Sequence, residues 1–364
     1  MRKLLFALAL FLSLTLIPSF AAENKSLFSH IASYWHKVNN EIVQCDLCPH
    51  KCILADGQRG ICTARINKKG ALYTLAYGNP VSLQVDPIEK KPFFHVAPGE
   101  SAFSLAVAGC NMRCLFCQNW QISQSRPDET NNYTASPEEI VNLAIKNNSK
   151  FIAYTYTEPT IFYEYMLDIA KLAREKGLRN VMHTCGYVNH EPLLNLLKYL
   201  DAVNVDLKSF DSNFYRKMGI LVELQPVLDT LKTIKAQGVW LEITNLVIPG
   251  ENDDPNQIRK MCVWIKDNLG DDVPLHFSRF TPAYRLANLP PTSDEKMEEA
   301  YRIAKEVGLK YVYIGNLPGT SHENTYCPNC NKLIISRSGY RVNEVNIKDG
   351  RCKFCGYKIS GIWK

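Results

Sequence analysis

An α/β fold, a partial (β/α)6-type TIM barrel with a cysteine-rich module before it and a zinc-ribbon-like module after it, is predicted by three observations in this 364-residue sequence. Apolar runs of strand length alternate with amphipathic helical stretches. Polar or metal-capable residues close one run after another, as at a barrel mouth. Thirteen cysteines fall into three clusters and two singletons, Cys185 and Cys262. A composition of 46% hydrophobic and 21% charged residues excludes a disordered chain and a polytopic membrane protein. The net charge of +6 is dispersed along the chain, so a nucleic-acid surface is not expected.

The elements follow in order. Arg2 and Lys3 precede an apolar run from Leu4 to Ile17, then Pro18 and the small-residue site Ser19-Phe20-Ala21. Residues 1–22 therefore read as a signal peptide, and the run is short of the ~20 residues that span a bilayer, so no permanent transmembrane helix is expected. Export, to the periplasm or another extracytoplasmic space, conflicts with oxygen-sensitive thiolate chemistry. The alternative is a cytoplasmic protein with a downstream start at a non-standard codon, since no Met occurs between Met1 and Met112. Residues 26–44 read as a helical lead-in to a cysteine-rich module over 26–100. Strand-like runs occupy 103–109, 151–156, 179–184, 202–207, 240–248, 275–280 and 311–315, and place the barrel at 101–318. Ser136-Pro137-Glu138-Glu139 is a capping box with Pro at the first helical position, and Gly177, Gly238 and Gly308 stop helices.

The cysteine spacings carry the chemistry. Cys110, Cys114 and Cys117 follow the first barrel strand, and three thiolates leave one position open on a four-iron cluster, which takes one thiolate per iron. A structural zinc completed by a distant His or Cys is the plainer alternative. Cys327, Cys330, Cys352 and Cys355 form two knuckles around a hairpin-like stretch, a zinc-ribbon pattern over 319–364 that rubredoxin-like iron also suits. Cys45, Cys48, Cys52 and Cys62 are less regular, and either zinc or an auxiliary iron–sulfur (Fe-S) cluster fits their spacing. Asp206 and Lys208, two apart on a strand, point the same way and suit a zwitterionic amino acid or a mutual ion pair. Cys262 shares a helical face with Ile258, Ile265 and Leu269 and belongs to the core, whereas Cys185 suits either the mouth or burial.

Cys110-x3-Cys114-x-Phe116-Cys117 resembles the signature of radical S-adenosylmethionine (SAM) enzymes. The resemblance implies a [4Fe-4S] cluster on the three cysteines, SAM on the open iron, Phe116 packed on adenine, and an external reducing electron donor. Tyr156-Thr157-Glu158-Pro159 stands where that family commonly has Gly-Gly-Glu-Pro, with both glycines replaced and Glu158 kept as a polar contact. Thr184, Asp206-Leu207-Lys208 and His276 end later strands, and Asp-Leu-Lys and Ile248-Pro249-Gly250 resemble the glycyl-radical activating enzymes. A hydrogen-bonded core role suits His276 equally. Together with Cys45 to Cys52, Asp86 to Pro92, Tyr154 to Thr160 and the ribbon, the pattern from about residue 30 onward resembles the AmmeMemoRadiSam-system radical SAM proteins, relatives of the pyruvate formate-lyase activating enzymes. That resemblance implies a Memo-like or Amme-type protein as substrate or partner. The function expected is a radical SAM oxidoreductase that forms a 5′-deoxyadenosyl radical for hydrogen abstraction, acting on a protein in the manner of a glycyl-radical activase. The competing reading is a metal-binding interaction module whose barrel no longer turns over, which the replaced glycines favour.

Overall fold

The computed structural model describes residues 30–363, so the signal-peptide reading of residues 1–22 lies outside the described residues. Its centre is an eight-stranded sheet. Seven strands, Ser101–Val107, Phe151–Tyr154, Arg179–Thr184, Ala202–Asp206, Trp240–Val247, Leu275–Arg279 and Val312–Gly315, lie parallel in chain order. An eighth, Pro80–Pro87, pairs antiparallel with the first of them. These seven fall on the seven strand-like runs of the sequence, one more than a (β/α)6 barrel contains. The sheet also begins at Pro80, inside the segment assigned to the cysteine-rich module.

The expected helix signals act where the sequence puts them. Ser136 Oγ accepts from the Glu139 amide while Glu139 Oε2 accepts from the Ser136 amide, which opens the helix Pro137–Lys146. Gly308 closes the helix Asp294–Val307 in the left-handed conformation at φ +100. Each crossover helix lays its apolar stripe on the sheet, so one continuous core runs through the barrel.

Residues 88–97, between the antiparallel strand and the first parallel one, fold inward as a plug. Ile88, Phe93 and Val96 pack on Ala102, Ala153 and Ala202 at the start of the strands, where small side chains leave room for them. Asn204 Nδ2 donates to the Pro92 carbonyl and fixes the plug's height in the barrel. Nothing in the periodicity of 88–97 announces this, because beyond the single 3-10 turn Ile88–Lys90 the segment is neither helix nor strand.

The helical lead-in is not found over the described part of 26–44. Instead His30–Ile31, Trp35–Lys37 and Val43–Cys45 are short strands. Trp35–Lys37 and Val43–Cys45 form a hairpin whose turn is held by Asn39 Oδ1, accepting from the amides of Glu41 and Ile42. An Asn-initiated turn competes with helix by offering the backbone a local partner.

The last module has a three-stranded sheet, Thr325–Tyr326, Leu333–Ser338 and Arg341–Val345, followed by the small hairpin Ile347–Lys348 and Arg351–Cys352. It is not a loose appendage. Ile334, Cys327, Cys352 and Ile359 pack against Tyr311, Tyr313 and Phe94 of the barrel, and Ile362 bridges to Val96 of the plug. Among the described residues no helix is long and apolar enough to cross a membrane.

Candidate active site and cysteine centres

The strand ends and the plug enclose a cavity of about 460 Å³, within the range of small-ligand sites. All nine residues expected at the site line it: Cys110, Cys114, Cys117, Phe116, Glu158, Thr184, Asp206, Lys208 and His276. The cysteine loop starts at Gly109, whose φ of +101 few side chains tolerate and whose added Cβ would lie 2.5 Å from the Cys62 carbonyl oxygen. The Met112 amide lies 3.4 Å from Cys110 Sγ, and Ser123 Oγ 3.1 Å from Cys117 Sγ. Burial pushes the thiol of Cys110 well above its ordinary range and that of Cys114 up to about 11, the latter against the pull of Lys208. Metal binding must therefore displace protons here.

Glu158 is fully buried and its carboxylate is spoken for. Oε1 accepts from the Thr160 amide and hydroxyl and from Thr184 Oγ1 at 2.6 Å, and Oε2 accepts from the Cys185 amide at 2.7 Å. It therefore ties two strand ends together, and Thr184 is one of its anchors. Tyr156, where the resemblance leads one to expect a glycine, has φ +65, so the backbone takes a glycine-like path despite the side chain. Its carbonyl accepts from Asn119 Nδ2 and its hydroxyl donates to Asp86.

Asp206 and Lys208 form an ion pair at 2.8 Å, and His183 Nε2 lies 2.8 Å from the other Asp206 oxygen. Burial opposes ionisation of Asp206, but Lys208 and His183 outweigh it and hold the carboxyl well below the usual range. The Lys208 ammonium lies 5.7 Å from the centre of the Phe116 ring, which places an aromatic face, a cation and an anion in sequence across the cavity. His276 is at the floor, with Nε2 2.6 Å from Glu242 Oε2. Glu242 also accepts from the amides of Phe94 and His95 and from Trp240 Nε1, so His276 belongs to a hydrogen-bonded core network as well as to the cavity wall.

Sequence reasoning missed several lining residues. His183 precedes Thr184 on its strand and was detectable as a strand-end titratable group. Lys91, from the plug, is buried with Nζ 2.7 Å from Asp86 and 3.9 Å from the Tyr156 ring centre. Tyr340 brings the ribbon to the rim, beside Asn316, which the sequence does place at the end of the last barrel strand. Cys185 reaches the cavity with Sγ 3.9 Å from Asp206 Oδ2, while Cys262 is fully buried in the core.

The ribbon cysteines have their four sulfurs within 4.8 Å of one another, with Cys327–Cys355 at 3.6 Å and Cys330–Cys352 at 3.8 Å. A tetrahedral ion with sulfur ligands at ~2.3 Å has edges of ~3.8 Å, so the donor set fits one metal ion.

The radical SAM superfamily model matches residues 105–262, which contain the cysteine loop, the end of the first parallel strand and the next four in full. An uncharacterized protein of Methanocaldococcus jannaschii is 48% identical over 330 residues, covering 90% of this chain and 98% of its own. The pyruvate formate-lyase-activating enzyme of Clostridium pasteurianum is 25% identical over 226 residues, 55% of this chain and 88% of that one. The crystal structure of a domain of pyruvate-formate lyase-activating enzyme from Bacteroides vulgatus aligns with 45% of this chain and 98% of its own, at 19% identity and a TM-score of 0.40.

Proposed function

Because residues 105–262 match the radical SAM superfamily, whose members are enzymes of radical chemistry that use a [4Fe-4S] cluster and SAM, we propose that the chain abstracts hydrogen from a protein partner, as a glycyl-radical activating enzyme does. The observation that carries the reading is the convergence of all nine expected site residues on one cavity at the ends of the strands. Cys110, Cys114 and Cys117 hold the cluster. Bound by these three thiols, the cluster would supply the reducing electron for cleavage of the SAM sulfonium.

The chain's own residues position the ligand. Phe116 offers a face to adenine. Lys208 takes the carboxylate of the methionyl end and Asp206 its ammonium, exchanging their mutual ion pair for a zwitterion of matching polarity. Glu158 keeps the two neighbouring strand ends in register, with its four accepted hydrogen bonds. The glycine-like backbone at Tyr156 supports turnover over a relic barrel, since the replaced glycines were what favoured the latter. The ribbon thiols take zinc, an assignment supported by their tetrahedral spacing.

For the substrate, a Memo-like or Amme-type protein of an AmmeMemoRadiSam system is the partner we propose, and an external reductant the electron donor. The test uses such a partner deuterated at glycine Cα, incubated anaerobically with reconstituted enzyme, reductant and SAM. Deuterium in the 5′-deoxyadenosine, read by mass spectrometry, is the expected result. Product formed equally without the partner and carrying only protium refutes the protein-substrate reading.

A further inference from the structure

We infer that Cys45, Cys48, Cys52 and Cys62 hold an iron–sulfur cluster, separate from that of the barrel, and not a zinc ion. The four cysteines face one small cavity. Yet among the described residues only the ribbon quartet brings its ligand atoms within 4.8 Å of one another. Four thiolates on a single ion must come that close, whereas thiolates on separate irons of a cluster stand farther apart because bridging sulfide lies between the metals. The ribbon quartet thus has the spacing of a single ion, and the first quartet, though it faces one cavity, does not.

The surroundings are built for sulfur anions. Arg65 Nη1 donates to Cys45 Sγ at 3.6 Å, and the backbone amides of His50, Ile61 and Ala64 reach the sulfurs of Cys48, Cys52 and Cys62 in turn. Each of the four sulfurs has a donor, the arrangement that sets cluster potentials. Arg65 is 1% exposed, pairs with Glu164, and lines the cavity with a buried Nε that has no hydrogen-bond partner. Glu164 balances its charge, so what Arg65 offers the cavity is its N–H donors for sulfur.

The site also adjoins the barrel centre. His50 Nε2 lies 2.8 Å from the Asn111 carbonyl oxygen, one residue from Cys110, and Arg113 Nη2 donates to the Ile61 carbonyl, one residue from Cys62. Each cysteine loop is thus strapped to the other.

The test needs no turnover, so its outcome is independent of the proposed reaction. The full chain carrying Cys110→Ala, Cys114→Ala and Cys117→Ala is reconstituted anaerobically and assayed for iron, acid-labile sulfide and zinc. Iron and sulfide in equal amounts beside one zinc, with the iron lost when Cys48→Ala and Cys62→Ala are added, is the expected result. An iron-free triple variant with two zinc ions per chain overturns the assignment. Should the variant fail to fold, reduced wild-type protein decides the matter: about eight irons per chain and two EPR signals, of which SAM shifts one, are expected. About four irons and a single signal wholly shifted by SAM overturn it.

Discussion

At the scale of single residues, the site depends on buried charges that are matched locally. Asp206 stands between Lys208 and His183, so Asp206→Asn leaves the Lys208 ammonium, 8% exposed, without its anion. Breaking such a pair costs about 3 kcal/mol. The variant is expected to unfold at lower denaturant and to bind SAM more weakly, while retaining its iron. Isothermal titration and iron analysis check this, and unchanged SAM affinity would contradict the assigned role. Lys91 gives a pH dependence. Burial pushes its ammonium down to about 8, against Asp86, so the folded chain favours the neutral amine. That contribution to stability is present above the unfolded value of ~10.4 and is lost as pH falls through about 8. Raising the pH from 7 to 10 is therefore expected to stabilise wild type relative to Lys91→Met, by up to ~3 kcal/mol in urea unfolding. An equal gap at both pH values would count against it. The cysteines, Asp206 and Lys208 were legible in the sequence because spacing and strand parity encode them. Lys91 and the satisfied state of Glu158 were not, since they depend on which neighbours the fold brings into reach.

At the scale of elements, the strands were legible and the plug was not. A run such as Phe151 to Tyr154 announces a buried parallel strand by its apolar content, and Ser136 to Glu139 announces a helix start by its hydrogen-bonding geometry. Residues 88–97 carry no period, and only the small Ala102, Ala153 and Ala202 that receive them hint at a filled interior. The short hairpin at Trp35 to Cys45 was hidden for a related reason: a three-residue strand has too few positions to show alternation. The turn into the cysteine loop is the element most sensitive to change. Gly109→Ala meets both an unfavourable φ and the Cys62 carbonyl oxygen, and is expected to cost on the order of 2 kcal/mol or more. It should lower the iron retained after reconstitution as well as the unfolding midpoint. Wild-type iron content and stability would show that the two loops are not held in contact.

At the scale of the whole molecule, the ribbon completes the barrel. Arg337 is 4% exposed and runs from the ribbon sheet into the barrel floor, donating to the Phe94 carbonyl at 2.7 Å and to Thr325 Oγ1 at 2.9 Å, with Glu89 3.8 Å away. Its guanidinium also lies 4.2 Å from the Phe94 ring centre, and Phe94 in turn touches His276 edge to face. Arg337→Met removes the cation facing buried Glu89 and is expected to cost about 3 kcal/mol, lowering the thermal midpoint of the whole protein in one transition. Two separated transitions would mean that ribbon and barrel unfold independently. The same joint brings Tyr340 to the rim of the active-site cavity, so loss of the ribbon metal is expected to disturb the mouth as well as the ribbon itself.

The central claim is that the cavity cleaves SAM, and the most direct measurement is 5′-deoxyadenosine formed by anaerobically reconstituted, chemically reduced protein. Wild type is predicted to form it, and the triple Cys110→Ala, Cys114→Ala, Cys117→Ala variant to form none. Wild type that carries a full complement of iron and sulfide yet yields no 5′-deoxyadenosine would contradict the account.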